Sequence, residues 1–279
     1  MNTPIENLQH KGYVLFSYPA TLQWFVDRSV ESWKKFCALP VEIKKGLPYS
    51  NDGAGVGYEL KEGVGRNADR KENFDVAIGG RDWLDTHSAH IASPVVREFI
   101  INATTLVSIM KPLILDFARQ AEKAYWLKGF VDEVVNGEDA FFVRFIRYTG
   151  NREVGEEIAT AHADQSAFTL HLSESDPGFQ YLSLARRNRK WVDLPFSDGE
   201  TFIIPSMQMQ LRSKGKLKAL CHRVVATKKT AKKGRESMVC FVQLKNFPKY
   251  DKARHGRLQE KPAGFNYDMS PTEFKKLFK

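Results

Sequence analysis

Beyond residue 138 the chain is a succession of short β-rich runs: "FFVRFIRY", "SAFTLHL", "FQYLSLA", "KWVDLP", "ETFIIPS", "KALCHRVVA" and "ESMVCFVQL". Turn signals such as "DPG", "SDGE", "RSKGK" and "AKKG" separate them. Several short strands at this spacing predict a barrel or jelly roll. The fold class expected is mainly β with flanking helices.

The first half reads differently. "GYVLF" at 12–16 is a candidate strand. Leu22, Phe25, Val26, Val30, Trp33, Phe36 and Cys37 recur at helical spacing over 20–38, and Pro40 ends the run. The Gly-rich stretch "NDGAGVGYELKEGVGR" at 51–66 reads as a loop. It has no preceding strand or following helix, so it is not a phosphate-binding loop. A long helix starts at Ser93, an N-cap followed by Pro94, and Pro112 should kink it. "SPTEFKKLF" at 270–278 carries a capping box, Ser270 with Glu273, and predicts a short terminal helix. We therefore expect one domain over 1–279: a mixed α/β region over 1–137, a jelly-roll core over 138–250, and a tail over 251–279.

Composition narrows the setting. At 42% hydrophobic and 27% charged, 279 residues can bury an ordinary globular core. Cys37, Cys221 and Cys240 show no C-x-x-C spacing, which argues against a disulfide framework or a zinc ribbon. The N-terminus has no signal-peptide pattern and no run approaches 18 apolar residues, so the expectation is a cytoplasmic protein with no membrane partner. The net charge of +9 raises nucleic-acid binding. The basic residues cluster at 185–191, 211–218 and 227–235, each between strand-like runs, where solvated hairpin loops explain them. No aromatic-plus-basic stacking motif appears.

"ATAHADQSAFTLHLSE" at 160–175 then sets a chemical question. His162 and Asp164 are two apart in a strand-like run, where residues i and i+2 share a face. A surface His–Asp pair is the plain explanation; two ligands of one metal ion is the chemical one. His222, in "KALCHRVVA", is a candidate third ligand. Two imidazoles and one carboxylate leave three octahedral positions open, the arrangement of non-haem Fe(II) oxygenases. If 218–226 and 235–244 form a hairpin, His222 pairs with Val239. Ser237 then lies one same-face step away, about 7 Å, and Arg235 two steps. An arginine and a serine there suit the far carboxylate of a five-carbon 2-oxo diacid. His171 has no strand-based reason to converge on the ligands and reads as structural or exposed.

At these residues the sequence resembles the isopenicillin N synthase-like 2-oxoglutarate/Fe(II)-dependent oxygenases. "FCALPVEIKK", "GVGYEL", "DRKENFDV", "AHADQSAFTLHL", "DPGFQYL", "KWVDLP", "LRSKGKLKALCHRVV" and the R-x-S of "RES" follow in the family's order. The resemblance implies a double-stranded β-helix, with His162, Asp164 and His222 as iron ligands and catalytic centre. Arg235 and Ser237 would grip the distal carboxylate of 2-oxoglutarate, and Tyr148 would hydrogen-bond the cosubstrate. It departs from the family at Ile146, where Asn is common, and at Pro205-Ser206, where Gly-Asp is common.

The implied activity is hydroxylation of a C–H bond of a small molecule, using Fe(II), 2-oxoglutarate and O2, with succinate and CO2 as co-products and ascorbate as a candidate reductant. The basic segments favour an anionic or zwitterionic substrate, with the Gly53–Arg66 loop and Phe74 as candidate pocket walls. Three alternatives remain: a relative that is an Fe(II) oxidase or cyclase without 2-oxoglutarate, a basic nucleic-acid-binding protein, and a non-catalytic β-barrel binding module with a vestigial site.

Overall fold

The β-rich runs do pair into sheets, and they recruit strands from the first half of the chain. The computed structural model describes residues 5–50, 55–185, 189–194, 199–245 and Glu273. In chain order the elements are α1 (Leu8–Lys11), β1 (Val14–Ser17), α2 (Ala20–Cys37), α3 (Val41–Lys45), β2 (Gly57–Glu62), β3 (Arg70–Ala77), α4 (Arg81–Ser88), α5 (Pro94–Ile109), α6 (Lys111–Tyr125) and α7 (Phe130–Asn136). There follow β4 (Phe142–Tyr148), β5 (Glu157–His162), β6 (Phe168–Glu174), β7 (Phe179–Leu182), β8 (Trp191–Asp193), β9 (Glu200–Pro205), α8 (Met207–Arg212), β10 (His222–Val225), α9 (Thr230–Lys233) and β11 (Arg235–Val242).

Among the described residues the strands form two antiparallel sheets. The larger runs β1-β9-β6-β11-β4-β3-β2 and the smaller β5-β10-β7-β8. Alternation along the strands sorts their side chains to two faces. Val143 and Phe145 of β4, with Met238 and Cys240 of β11, join the core under the helices. Ile146 of β4 and Val239 of β11 instead meet Ile158, Phe179 and Val224 of the smaller sheet in a second apolar cluster. The site lies in that second layer, between the sheets.

The helical layer is built on aromatics. Leu22, Val26, Trp33 and Phe36 make the buried stripe of α2, while Lys34 and Lys35 face water. Phe99 of α5 lies 4.7 Å from the Phe36 ring and 5.1 Å from those of Phe74 and Phe145. Ser93 caps α5, accepting from the Val96 N–H at 3.4 Å. The 94–125 stretch is apolar and long enough to cross a membrane by those criteria alone. In this fold its Val96, Phe99, Ile100, Leu106, Ile114 and Phe117 are buried in the core.

Several expectations are corrected. The long helix does not bend at Pro112; it breaks at Met110, and Pro112 opens α6, where its missing N–H costs nothing. Part of the Gly-rich segment is the strand β2, paired with β3 from Gly57↔Asp75 to Glu62↔Arg70; residues 51–54 lie outside the described residues. Phe74 is no pocket wall, because it is buried among Phe36 and Phe99. β10 and β11 form no hairpin. α9 intervenes, β10 pairs with β5 and β7, and β11 pairs with β4 and β6. The expected terminal helix at 270–278 lies outside the described residues, apart from helical Glu273.

The basic segments are not simply solvated loops. Arg212, on α8, binds Glu133 at 2.8 Å, and Lys229 and Lys233 bind Asp176 at 2.7 and 2.8 Å. Arg235 is buried.

Candidate metal centre

His162 and His222 meet as cross-strand partners at the ends of β5 and β10, their ring centroids 4.4 Å apart. Asp164 arrives differently from the expected strand alternation. β5 stops at His162, and Asp164 lies in the connection to β6. The Met207 N–H donates to the Asp164 carbonyl at 2.9 Å and anchors that turn. One ligand atom from each of the three side chains falls within 4.8 Å of the others.

The hydrogen bonds turn the right atoms inward. His162 Nδ1 lies 2.7 Å from the Thr160 carbonyl, and His222 Nδ1 lies 3.1 Å from that of Leu220. A carbonyl can only accept, so each Nδ1 carries the proton and each Nε2 offers a lone pair. Those Nε2 atoms lie 3.6 and 3.9 Å from Asp164 Oδ1. Ligands bonded at about 2.1 Å in neighbouring positions lie roughly 3 Å apart, so a small inward movement closes the set on one ion. The other oxygen, Oδ2, accepts from the Thr169 hydroxyl at 2.6 Å. Thr169 is held in turn by the hydroxyls of Ser166 at 3.1 Å and Ser206 at 3.2 Å.

The electrostatics favour the ligand state of each group. Burial opposes ionisation of Asp164, but the two imidazoles and the Thr169 hydroxyl hold its carboxyl well below the usual range. Burial pushes His222 down to about 4, so it stands neutral at ordinary pH. Burial works against protonating His162 as well. It is the largest single influence there, but the hydrogen bond and charge of Asp164, with the Thr160 carbonyl, together outweigh it and raise the pKa.

Of the other expected site residues, Tyr148 and Arg235 are cross-strand partners on β4 and β11, and Ser237 pairs with Ile146 one same-face step on. All three side chains are buried. Burial raises the Tyr148 phenol far above its ordinary value, so it stays a donor. Arg235 Nε donates to the Asp176 carbonyl at 3.0 Å. Its Nη1 has no partner among the described residues, which fits a seat for an incoming carboxylate. Its Nη2, however, is already paired with Glu174 at 2.6 Å.

Three contributors were not anticipated. His171 is neither remote nor exposed: it is buried, its ring centroid 6.0 Å from that of His222, and its Nδ1 lies 2.8 Å from Glu174 Oε1. Glu174 reaches the same face. Lys71 of β3 lies over Tyr148 at 5.9 Å, and its charge opposes protonation of His162. The histidine in the β6 run was the available signal; Glu174 and Lys71 carried none.

Residues 137–244, which span β4 to β11, match the 2OG-Fe(II) oxygenase superfamily. Probable flavonol synthase 5 of Arabidopsis thaliana is 24% identical over 228 residues, 73% of this chain and 67% of that protein. Among solved structures, a full-length Neurospora crassa protein in complex with alpha-KG has a TM-score of 0.71 at 17% identity, covering 97% of this chain and 87% of that one. AtDAO1, the dioxygenase for auxin oxidation 1 from Arabidopsis thaliana, was solved with 2-oxoglutarate. It has a TM-score of 0.68 at 18% identity, covering 86% of this chain and 85% of that one. At such identities the two structures speak for the fold: a double-stranded β-helix of antiparallel sheets with flanking helices.

Proposed function

From membership of the 2OG-Fe(II) oxygenase superfamily, carried by residues 137–244 and making this chain an oxidoreductase, we propose that it hydroxylates a C–H bond of an anionic small molecule. The superfamily uses Fe(II), 2-oxoglutarate and O2, and when bound these convert 2-oxoglutarate to succinate and CO2 while one oxygen atom enters the substrate. His162 Nε2, His222 Nε2 and Asp164 Oδ1 would hold the metal, a donor set that leaves room for the cosubstrate and O2. The two backbone carbonyls and Thr169 fix the ligands before the ion arrives. Arg235 and Ser237 receive the distal carboxylate of 2-oxoglutarate, with the Tyr148 hydroxyl alongside.

The convergence of those three ligand atoms carries this reading. Lys71 supports an anionic substrate, since its charge reaches the His162 side of the site. The internal pairing of Arg212, Lys229, Lys233 and Arg235 favours a small molecule over nucleic acid.

The test is anaerobic. Fe(II) and ascorbate are added to the protein and 2-oxoglutarate is titrated in, following the weak visible charge-transfer band of a 2-oxo acid chelated to ferrous iron. The band should appear in the native protein and be absent from His162→Ala. Bound iron without a band would favour a relative that takes no 2-oxoglutarate. Absence of iron binding would overturn the oxygenase reading.

A further inference from the structure

The β6–β11 pairing contains an irregularity. Ser237 pairs with Glu174 and Met238 with Ser173, but Val239 pairs with His171, so Leu172 is an extra residue. Such a bulge inverts the alternation beyond it. His171 and Glu174 are three apart and belong on opposite faces of a regular strand, yet both project into the site layer, opposite Val239 and Ser237. The carbonyls at the bulge are held: Tyr18 donates its hydroxyl to the Leu172 carbonyl at 2.7 Å, and Thr201 donates to that of His171 at 2.9 Å.

The displaced carboxylate lands on the two groups assigned above to the cosubstrate. Glu174 pairs with Arg235 Nη2 at 2.6 Å and faces Ser237 directly across the β6–β11 pairing. Its side chain is 3% accessible. We propose that Glu174 is an internal competitor for the 2-oxoglutarate seat, its carboxylate occupying the Arg235–Ser237 pair that the distal carboxylate must take. This rests on the assignment of that pair to 2-oxoglutarate.

Two carboxylates sharing one buried guanidinium repel each other, so the two occupants exclude one another. The pairing with Ser237 holds the Glu174 backbone, and only its side chain can turn away. His171 offers the alternative partner, because its Nδ1 already holds Oε1 at 2.8 Å. Glu174 therefore weakens 2-oxoglutarate binding, and diacids unable to displace it are rejected.

Calorimetric titration of 2-oxoglutarate into the Mn(II)-loaded protein, where no turnover occurs, tests this. The variants are Glu174→Gln, which keeps the side-chain shape, and Glu174→Ala, which opens the seat. Circular dichroism and Mn(II) binding check that each is folded. Both variants should bind 2-oxoglutarate tighter by about tenfold, the scale of one charge-assisted hydrogen bond. Adding Arg235→Ala should abolish the gain. Unchanged or weaker binding in both variants, with native binding intact, overturns the competitor alone, as does a gain that survives Arg235→Ala. No binding to the native protein or to either variant, with Mn(II) bound, overturns the cosubstrate assignment and the competitor together.

Discussion

His162 and His222 are direct cross-strand partners, and each ring is turned by a backbone carbonyl two residues before it, Thr160 for one and Leu220 for the other. The two imidazoles thus present Nε2 to a common point through a repeated local device. Replacing His162, His222 or Asp164 by Ala should each lower Mn(II) or Fe(II) affinity by more than about 100-fold, beyond the effect of losing an outer hydrogen bond. Anaerobic equilibrium dialysis measures it. Near-native affinity in any one of the three would remove that residue from the ligand set.

Thr169 provides a finer test. Its hydroxyl holds Asp164 Oδ2, leaving Oδ1 to face the imidazoles. Thr169→Val keeps the shape and removes the hydrogen bond, and metal affinity should fall by roughly 10- to 100-fold. Ser206→Ala should do less, because Ser206 reaches Asp164 only through Thr169. Equal losses in the two variants would mean that Thr169 does not orient the carboxylate.

The converging His162–Asp164–His222 cluster and most strands were legible in the sequence because each is a local pattern. Turn residues punctuate the β-runs, and the H-x-D tripeptide carries its chemistry on its face. What escaped depends on pairing between distant strands. The assumption of a β10–β11 hairpin followed from their nearness in sequence, yet the strands lie in different sheets. The strand-face argument put His162 and Asp164 together by a route the fold does not use, since Asp164 lies past the end of β5 and converges from the following turn. His171 and Glu174 escaped because period-2 alternation sends them to opposite faces, and only the extra Leu172 reverses that.

Gly234 precedes Arg235 at φ +83°, and a Cβ there would lie 2.3 Å from the Tyr148 carbonyl oxygen. Both the left-handed backbone and the close approach demand glycine. Gly234→Ala should destabilise the fold by more than about 2 kcal/mol in urea unfolding. Gly155 has a similar φ, +85°, but a Cβ there would meet nothing within 4 Å, so Gly155→Ala should cost about 1 kcal/mol. Equal costs would show that the contact with Tyr148 contributes nothing.

Glu174 gives the pH dependence. Burial opposes its ionisation, but Arg235, then His171 and Ser237, overcome this and hold its pKa below the ordinary 4.5. Tyr18 and Tyr148, which also feel the Glu174 charge, stay protonated phenols because burial raises both far above their usual range. A carboxyl whose folded pKa is depressed stabilises the fold above its unfolded pKa, and that contribution fades as pH falls through the folded value. Glu174→Gln leaves Arg235 buried without its counter-charge and should cost about 3 kcal/mol near pH 7. The gap between native protein and variant should stay constant down to about pH 4.5 and then narrow as Glu174 takes up its proton. Urea unfolding of both proteins at stepped pH measures it. A gap that held its full size through the acid range would mean that the Glu174 charge is not what stabilises the pair. A variant as stable as the native protein at neutral pH would mean that Arg235 needs no internal partner.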